Sequence, residues 1–286
     1  MSKNFKVGID YGGTKIEGIL MDNEGNEILR KRSTYEKNYK SGIQTVSSLV
    51  EEFDKHTGTI NTVGVGIPGS SSKETGLIKN ANSIWLNDKP FKQDLENSLG
   101  RDIRLMNDAN CFALSESIDG SGRGYDSVWG VIIGSGFGGS FVYKNQVIEG
   151  VNQVAGDWGH QPLPYPNEEE QELGLKCEVG NCHRPLCAEQ FISGVGFTKL
   201  FNLKYGTNFR TREIVALEAN GDERAKKEFD LYEDRFARLI AIMIGIVDPD
   251  VIILGGGMSN IGRIYKNIPK LLPKYTFSDK VRNKIL

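Results

Sequence analysis

The stretch Phe5-Lys6-Val7-Gly8-Ile9-Asp10-Tyr11-Gly12-Gly13-Thr14-Lys15 decides how this chain folds. In it a short apolar run ends in an acid, two glycines and a Thr-Lys pair, and a second apolar run, Ile16 to Leu20, follows. The pattern predicts a strand, a tight turn and a second strand. Gly12 and Gly13 permit the turn and leave backbone N–H groups free to face phosphate oxygens, while Asp10 could hold a metal ion through water. A single copy is equally typical of an ordinary hairpin with a glycine turn.

The same pattern returns in the second half of the chain. Val128 to Ile133 predicts a strand, Gly134-Ser135-Gly136-Phe137-Gly138-Gly139-Ser140 a turn, and Phe141 to Tyr143 a further strand. A strand follows the glycines in both copies, whereas a dinucleotide-binding fingerprint requires a helix there, so a Rossmann site is excluded. Two glycine hairpins, one opening each half, predict an internally duplicated protein whose halves face each other across a phosphate-binding cleft.

Length and composition are those of a globular protein without an extended charged surface. The 286 residues suit one large or two medium domains. The formal net charge is −2, and basic and acidic residues are interspersed, which argues against a nucleic-acid or anionic-membrane partner. No run reaches the ~18 apolar residues of a membrane helix, and the N-terminus lacks the apolar core of a signal peptide. We therefore expect a cytoplasmic protein.

Two polar segments lie beside predicted strands in the first half. The loop Lys79 to Asn87 is dense in amide side chains, which suit recognition of sugar hydroxyls, although such a loop can equally satisfy its own backbone. Ile103 to Met106 predicts a strand that stops at Asn107-Asp108-Ala109-Asn110, before a helix from Cys111 to Ile118. Open α/β sheets place ligand-facing groups at such a junction, and a helix N-cap explains the same cluster equally well.

Three of the four cysteines form a loop in the second half. Cys177, Cys182 and Cys187 stand at C-x₄-C-x₄-C, with His160 upstream and His183 between them, and the acidic run Asn167 to Glu170 before them is expected to be an insertion. Four cysteines are too few for a disulfide framework at this length, whereas tetrahedral zinc accepts sulfur and nitrogen ligands from such a loop. The alternative is a pair of core thiols and a surface thiol.

The last third of the chain adds a long helix and a third glycine segment. Phe229 to Ile246 predicts a helix whose aromatic residues belong to the core. Val251 to Leu254 predicts a buried strand, and Gly255-Gly256-Gly257 at its carboxyl end suits the base or sugar of a nucleotide. Beyond it, Pro269 and Pro273 bracket at most the remnant of a last helix.

In this order, the motifs resemble the sugar kinases of the ROK family over nearly the whole chain. The motifs are Asp10-Tyr-Gly-Gly-Thr-Lys15, Gly66-Ile-Pro-Gly69, Asn107-Asp-Ala-Asn110, Gly134-Ser-Gly-Phe-Gly-Gly139, Gly159-His160, Cys187-Ala188-Glu189 and Leu254-Gly-Gly-Gly257. The resemblance implies a duplicated actin-like (ribonuclease H-like) α/β ATPase fold, with two domains around a cleft. The domains expected are 1–118 and 119–286, the second with the cysteine loop (177–187) and without the family's terminal return helix.

The resemblance implies transfer of the γ-phosphoryl group of ATP to a hexose hydroxyl with the help of Mg²⁺. Three groups of short segments look most like the bacterial fructokinase or mannokinase type, so 6-phosphorylation of fructose or mannose is expected. They are Lys79-Asn-Ala-Asn-Ser83 with Trp85-Leu-Asn87, Asn110-Cys-Phe-Ala113 with Ser115-Glu116, and Asp248-Pro-Asp-Val-Ile252 with Met258-Ser-Asn260. The alternatives are an N-acetylglucosamine, N-acetylmannosamine or glucose kinase and, in another class, a catalytically weak sugar-sensing protein. A homodimer is expected, with no nucleic-acid or membrane partner.

The resemblance also assigns site residues, with Asp108 as the base that takes the proton of the attacking hydroxyl. The expected sugar-binding residues are Pro68, Gly69, Asn82, Asn107, Asp157, His160 and Glu189, where Asp157 replaces the family's Glu. The expected ATP and Mg²⁺ residues are Asp10, Gly12, Gly13, Thr14, Lys15, Gly134, Ser135, Gly136, Gly138, Gly255, Gly256 and Gly257. The expected ligands of a structural zinc ion are His160, Cys177, Cys182 and Cys187, with Cys177 standing in for the family's first cysteine, whose place is Gly180.

Overall fold

The chain divides into two compact units. The structure, a computed structural model, describes residues 5–176, 179 and 182–286. Unit 1 comprises Met1–Cys111 and Val151–Val154, and unit 2 comprises Phe112–Gly150 and Ala155–Leu286. The division falls a few residues before the boundary at 118/119 that the sequence predicts.

Unit 1 is built on one mixed sheet. In chain order its elements are β1 (Lys6–Tyr11), β2 (Lys15–Met21), β3 (Glu27–Thr34), α1 (Tyr39–Thr57), β4 (Thr62–Ile67), β5 (Ser70–Ser71), β6 (Ile78–Lys79), a 3₁₀ turn (Ile84–Leu86), α2 (Phe91–Leu99), β7 (Arg104–Asn107) and the first turn of α3 (Asp108–Ile118). The strand order is β3-β2-β1-β4-β7; β1 to β3 are antiparallel, and β4 and β7 run parallel to β1. Apolar residues of α1 recur at helical spacing and pack on this sheet.

Unit 2 repeats this arrangement. Its elements are the rest of α3, β8 (Ser127–Ile133), β9 (Phe137–Tyr143), β10 (Gln146–Val147), a 3₁₀ turn (Trp158–His160), α4 (Glu168–Lys176), α5 (Ala188–Ile192), α6 (Gly194–Tyr205), α7 (Thr211–Ala219), α8 (Glu223–Val247), β11 (Val251–Gly255), a 3₁₀ turn (Gly257–Asn260), α9 (Gly262–Leu271), a 3₁₀ turn (Leu272–Lys274) and β12 (Lys284–Ile285). The strand order is β10-β9-β8-β11-β12, again with an antiparallel set followed by parallel strands. The matching order confirms the predicted duplication and the actin-like α/β fold.

The core of unit 2 lies around the predicted long helix. Phe229, Tyr232 and Phe236 of α8 are fully buried in one cluster with residues of the sheet, which confirms that these aromatics belong to the core. Within the described residues no helix is both long and apolar enough to cross a membrane.

The second and third glycine segments are shorter turns than the sequence predicts. Strand β9 begins at Phe137, so Gly138 is a strand residue that pairs with Ile132. Gly255 is likewise in β11 and pairs with Ile132 from the other side. Both ladders continue through these glycines, which leaves Gly134 to Gly136 and Gly256-Gly257 as the turns.

Two segments form helices where the sequence predicts something else. The segment around Pro269, expected to hold at most a helix remnant, forms α9, because Ile264 and Ile268 lie one turn apart and are both fully buried. The acidic segment Asn167–Glu170, expected to be an insertion, opens α4. There Asn167 Oδ1 accepts from the N–H of Glu170, and the Glu170 side chain is buried.

Candidate functional site

The carboxyl ends of three parallel strands bring two carboxylates to one edge of the unit 1 sheet. Asp10 in β1 pairs with Gly66 in β4, and Asn107 ends β7 immediately before Asp108. A Cβ atom at Gly66 would lie 3.9 Å from the Cα of Asp108. Burial, followed by the charges of Asp108 and Asp10, raises the pKa of the Cys111 thiol to about 11. Both carboxylates therefore lie near the same thiol, at the edge where open α/β sheets place ligands.

The two carboxylates have different electrostatic surroundings. Burial and the neighbouring Glu17 raise the pKa of Asp10, and Arg32 only partly offsets them. A divalent cation at Asp10 would favour its charged form, and Mg²⁺ prefers such hard oxygen ligands. Asp108 opens α3, and its Oδ1 accepts from the N–H of Ala109 at 2.8 Å. The positive end of the helix dipole favours an ionised carboxylate there, as a base requires.

Asn107 holds the turn after β4. Its Nδ2 donates to Gly69 O at 3.0 Å, and its Oδ1 accepts from Asn110 N at 3.1 Å. Only one N–H and one lone pair of the amide remain for a ligand, although sugar binding is the role expected from the sequence. The side chain therefore fixes Pro68-Gly69 against the start of α3.

Gly69 is the tightest point of this turn, and we expect Gly69→Ala to destabilise the protein by about 1–3 kcal/mol more than a matched control. Its φ is +76°, and a Cβ would lie 2.4 Å from Lys79 O and 2.7 Å from Ala81 N. Gly76 has nearly the same φ, +72°, but open space around it, so Gly76→Ala keeps the backbone strain without the clash. Urea unfolding of both variants measures the difference. Equal losses would contradict the close contact with the amide loop.

The side chain of Asn87 closes the amide loop Lys79–Asn87 by bonding both backbone groups of one residue. Asn87 accepts from Ala81 N at 2.9 Å and donates to Ala81 O at 3.0 Å. Ala81 and Ser83 are buried, whereas Asn82 between them is exposed. Both alternatives left open by the sequence therefore apply to the same loop: Asn87 closes it, and the Asn82 amide faces outward, where a sugar could be bound.

The first glycine turn also lies in unit 1. Gly12 N donates to Lys15 O at 3.0 Å, and a Cβ at Gly12 would lie 2.8 Å from that oxygen, so the turn is closed tightly. Gly13, Thr14 and Lys15 are exposed, and Lys15 already belongs to β2. The exposed backbone at the tip suits an anionic ligand.

In unit 2 a buried carboxylate holds the second glycine turn. Gly134 N donates to Gly136 O at 3.0 Å, and the N–H of Phe137 donates to Glu189 Oε2 at 2.9 Å. Glu189 is 8% exposed, and a Cβ at Gly136 would lie 2.8 Å from Oε2. One carboxylate oxygen of this expected sugar ligand is therefore engaged with the turn, whose tip exposes Ser135.

The third glycine segment meets the second. Gly256 has φ +84°, and a Cβ there would lie 2.6 Å from Ile133 O and 3.1 Å from Gly134 N. Only glycine fits both the backbone angle and the space. Two of the three segments predicted to bind nucleotide thus adjoin each other within unit 2, with Gly257 following at the start of a 3₁₀ turn.

Asp157 and His160 flank one 3₁₀ turn that packs against the start of β9. A Cβ at Gly159, inside this turn, would lie 1.8 Å from Phe137 O. This close approach places the turn beside the strand whose first N–H is bound by Glu189. Asp157 is exposed and His160 is half-buried.

The residues present fit a zinc ion. Ligand atoms of His160, Cys182 and Cys187 all lie within 4.8 Å of one another, and Cys187 Sγ is 3.7 Å from His160 Nδ1. Tetrahedral zinc with ordinary Zn–S and Zn–N bonds separates such atoms by about 3.6 Å. Burial and the neighbouring Cys182 raise the pKa of Cys187 to about 12. A bound cation would lower this pKa and favour the thiolate. The fourth predicted ligand, Cys177, lies outside the described residues.

Comparison with known proteins places the chain in a family. The sequence profile of the ROK family matches residues 6–285. N-acetyl-D-glucosamine kinase of Vibrio cholerae serotype O1 is 36% identical over 277 residues, which span 95% of this chain and 90% of that enzyme. The ROK hexokinase from Thermus thermophilus has the same fold, with a TM-score of 0.83 and 23% identity over 98% of this chain and 91% of that chain. A ROK family glucokinase from Streptomyces griseus, solved with glucose and AMPPNP, also has this fold. Its TM-score is 0.78, and its identity is 23% over 99% of this chain and 94% of that chain. The chain therefore belongs to the ROK family, and it is a carbohydrate kinase.

Proposed function

We propose that this chain transfers the γ-phosphoryl group of ATP to a hydroxyl of N-acetyl-D-glucosamine. The observation that carries the substrate is the 36% identity, over nearly the whole chain, to a relative named for that sugar. The three short segments that resemble the fructokinase or mannokinase type favour fructose or mannose instead, and these hexoses are the second candidate. Identity along nearly the whole chain outweighs these segments, so the alternative in the sequence analysis becomes the main proposal.

The roles proposed for the residues follow from their positions. Asp108 takes the proton of the attacking hydroxyl, and its place at the start of α3 keeps it ionised. Asp10 holds Mg²⁺, which supplies charge neutralisation for the phosphates. The exposed tips of the glycine turns provide backbone N–H donors for the same charge. Asn82, Asp157, His160 and Glu189 bind the sugar, while Asn107 and Glu189 also fix the turns next to them.

The test is ADP production with N-acetylglucosamine, N-acetylmannosamine, glucose, mannose and fructose at equal enzyme concentration. We expect the highest kcat/KM with N-acetylglucosamine. A preference for fructose or mannose would favour the second candidate. Sugar binding without turnover of any of the five would indicate a sugar sensor and overturn the kinase proposal. Sedimentation of the same protein tests the predicted homodimer.

The zinc proposal has its own measurement. Purified protein is expected to contain about one equivalent of zinc, and Cys182→Ser or Cys187→Ser is expected to lose most of it, because each removes a thiolate ligand. Cys111→Ser is the matched control, since this thiol belongs to unit 1 and is not one of the three clustered ligands. A wild-type zinc content near zero, or equal contents in all three variants, would reject the site.

A further inference from the structure

An aromatic cluster lies beneath the first glycine turn in unit 1. The hydroxyl of Tyr35, just after β3, donates to Gly12 O at 2.9 Å. Trp85 Nε1, from the amide loop, donates to the hydroxyl of Tyr11 at 3.2 Å. The rings of Tyr11 and Tyr35 are 5.4 Å apart, and those of Tyr35 and Trp85 are 6.2 Å apart. Contacts therefore run from the amide loop to the phosphate-facing turn without a gap.

The contact at Gly12 determines where the next N–H points. Gly12 C=O and Gly13 N–H belong to the same planar trans peptide, so they point in opposite directions. A peptide between two glycines rotates easily, because neither residue restricts its own backbone. By holding Gly12 O on the protein side, the Tyr35 hydroxyl turns Gly13 N–H away from the core. Gly13 is exposed, so this donor is directed to the side where a phosphate can reach it.

The same loop also contacts the edge that carries Asp108. Ala81 packs against Gly69, whose carbonyl is held by Asn107 next to Asp108. On its other side the loop approaches the first glycine turn through Ser83, which is 1% exposed. The Ser83 Oγ would be 3.5 Å from a Cβ at Gly13. Asn82, the outward amide, stands between these two contacts. A ligand bound by Asn82 is therefore connected through the amide loop to both Asp108 and the Gly12-Gly13 turn.

The hydroxyl groups keep the protons that this arrangement needs. Burial raises the pKa of Tyr11 and of Tyr35, so both stay neutral throughout the physiological range. A neutral Tyr35 can donate to the Gly12 carbonyl, whereas a phenolate could not.

We propose that Tyr35 and Trp85 are positioning residues that couple sugar binding at the amide loop to nucleotide binding at the Gly12-Gly13 turn. The proposal rests on the proposed function in that it takes Asn82 to contact the sugar. Sugar bound at Asn82 fixes the loop, Trp85 holds Tyr11, and Tyr35 holds the Gly12-Gly13 peptide in the phosphate-binding orientation. Sugar and nucleotide then strengthen each other's binding by the same factor, as linkage requires.

The experiment measures the Kd of AMPPNP with and without saturating N-acetylglucosamine in wild type, Tyr35→Phe and Trp85→Phe. In wild type we expect the sugar to lower this Kd by at least about fivefold. Tyr35→Phe should raise the sugar-free Kd by about tenfold, because one hydrogen bond that orients a phosphate donor is lost. Trp85→Phe should leave the sugar-free Kd of AMPPNP unchanged. It should bring the ratio of the AMPPNP Kd without sugar to that with sugar near one. The Kd of the sugar alone should stay the same in both variants.

Tyr39→Phe is the matched control. Tyr39 belongs to the same aromatic core, 6.2 Å from the ring of Phe91, but its hydroxyl donates to Asp94 in α2 and not to the turn. It should retain the wild-type ratio. Wild-type ratios in both folded test variants, or an equal loss in Tyr39→Phe, would overturn the coupling.

Failure of the proposed function gives a different result. If no sugar in the panel is phosphorylated or bound, the substrate proposal fails, and the sugar-free Kd of Tyr35→Phe still tests the turn. An unchanged sugar-free Kd would then overturn the role of Tyr35. If Tyr35→Phe does not fold, the ratio of the two AMPPNP Kd values in Trp85→Phe decides the coupling. Trp85 donates to the Tyr11 hydroxyl and not to the glycine turn itself.

Discussion

Asp108→Asn is expected to lower kcat by ~10²–10⁴-fold while the Kd values of sugar and AMPPNP stay close to those of wild type. The amide has the size and shape of the carboxylate but cannot accept the proton of the sugar hydroxyl. The side chain that caps α3 is Asn107, whose Oδ1 accepts from Asn110 N and which the substitution leaves unchanged, so α3 should begin at the same place. The loss should therefore fall on the chemical step and not on folding or binding.

Asp102→Asn is the control for this substitution. Asp102 is an exposed acid of unit 1, shortly before β7, and the same change in charge there should leave kcat unaltered. Single-turnover measurement of phosphoryl transfer separates chemistry from product release. Wild-type kcat in Asp108→Asn would remove this residue as the base, and a parallel loss of both Kd values would assign it a structural role.

Much of the fold followed from patterns within short stretches of the chain. Alternating apolar residues around each glycine turn predicted both hairpins, and the recurrence of the hairpin predicted the duplication that the two matching strand orders confirm. The position of Asp108 at a junction of strand and helix was predicted for the same reason, because strand ends can be read locally. The exact lengths of the turns could not be predicted, since glycine is compatible with both turn and strand. Gly138 continues β9 by pairing within its own hairpin, and Gly255 continues β11 by pairing with β8, a strand distant in sequence.

What the sequence did not reveal depends on partners far along the chain. Asn107 and Glu189 read as sugar ligands, but their roles in holding glycine turns appear only when Gly69 and Phe137 are placed beside them. The contact of Tyr35 with Gly12 joins the segment just after β3 to the turn just after β1 and leaves no periodic signal in the sequence. The many amide side chains of the loop Lys79–Asn87 indicate that some of them bond to the loop's own backbone. The sequence does not show that Asn87 is the one that closes the loop.

Glu170 is the clearest residue of this kind. In the sequence it is one acid among three consecutive glutamates and reads as part of a solvated insertion. In the structure it is 1% exposed, and its Oε1 accepts from Arg235 Nε at 2.9 Å and from Arg238 Nη2 at 2.7 Å. Arg238 also donates to the backbone oxygens of Pro164 and Tyr165. The carboxylate therefore fastens α4, which leads into the cysteine loop, to the long helix α8.

Glu170→Gln is expected to lower the free energy of unfolding by about 3–5 kcal/mol, because it removes the buried carboxylate that Arg235 and Arg238 share and, among the described residues, leaves Arg238 with only its pair to Asp234. Glu172→Gln on the same helix is the matched control. Glu172 pairs with Lys176 at the surface, and such exposed pairs contribute about 0–1 kcal/mol. Urea unfolding at pH 7 compares the two. Similar small losses would show that Glu170 does not hold α4 in place.

The pH dependence of this difference distinguishes charge from packing. Burial alone would raise the pKa of Glu170, but hydrogen bonds from Arg238 and Arg235 outweigh it and hold the pKa below its ordinary value of 4.5. A lowered pKa in the folded state means that the stabilisation is complete above about pH 4.5 and disappears as the pH falls through the lower folded value. Gln does not titrate, so the difference in unfolding free energy between wild type and Glu170→Gln should narrow as the pH is lowered below 4.5, while other acids act equally on both. A difference that stays constant over this range would assign the effect to the shape of the side chain, and the ion pairs would then be incidental to the docking of α4.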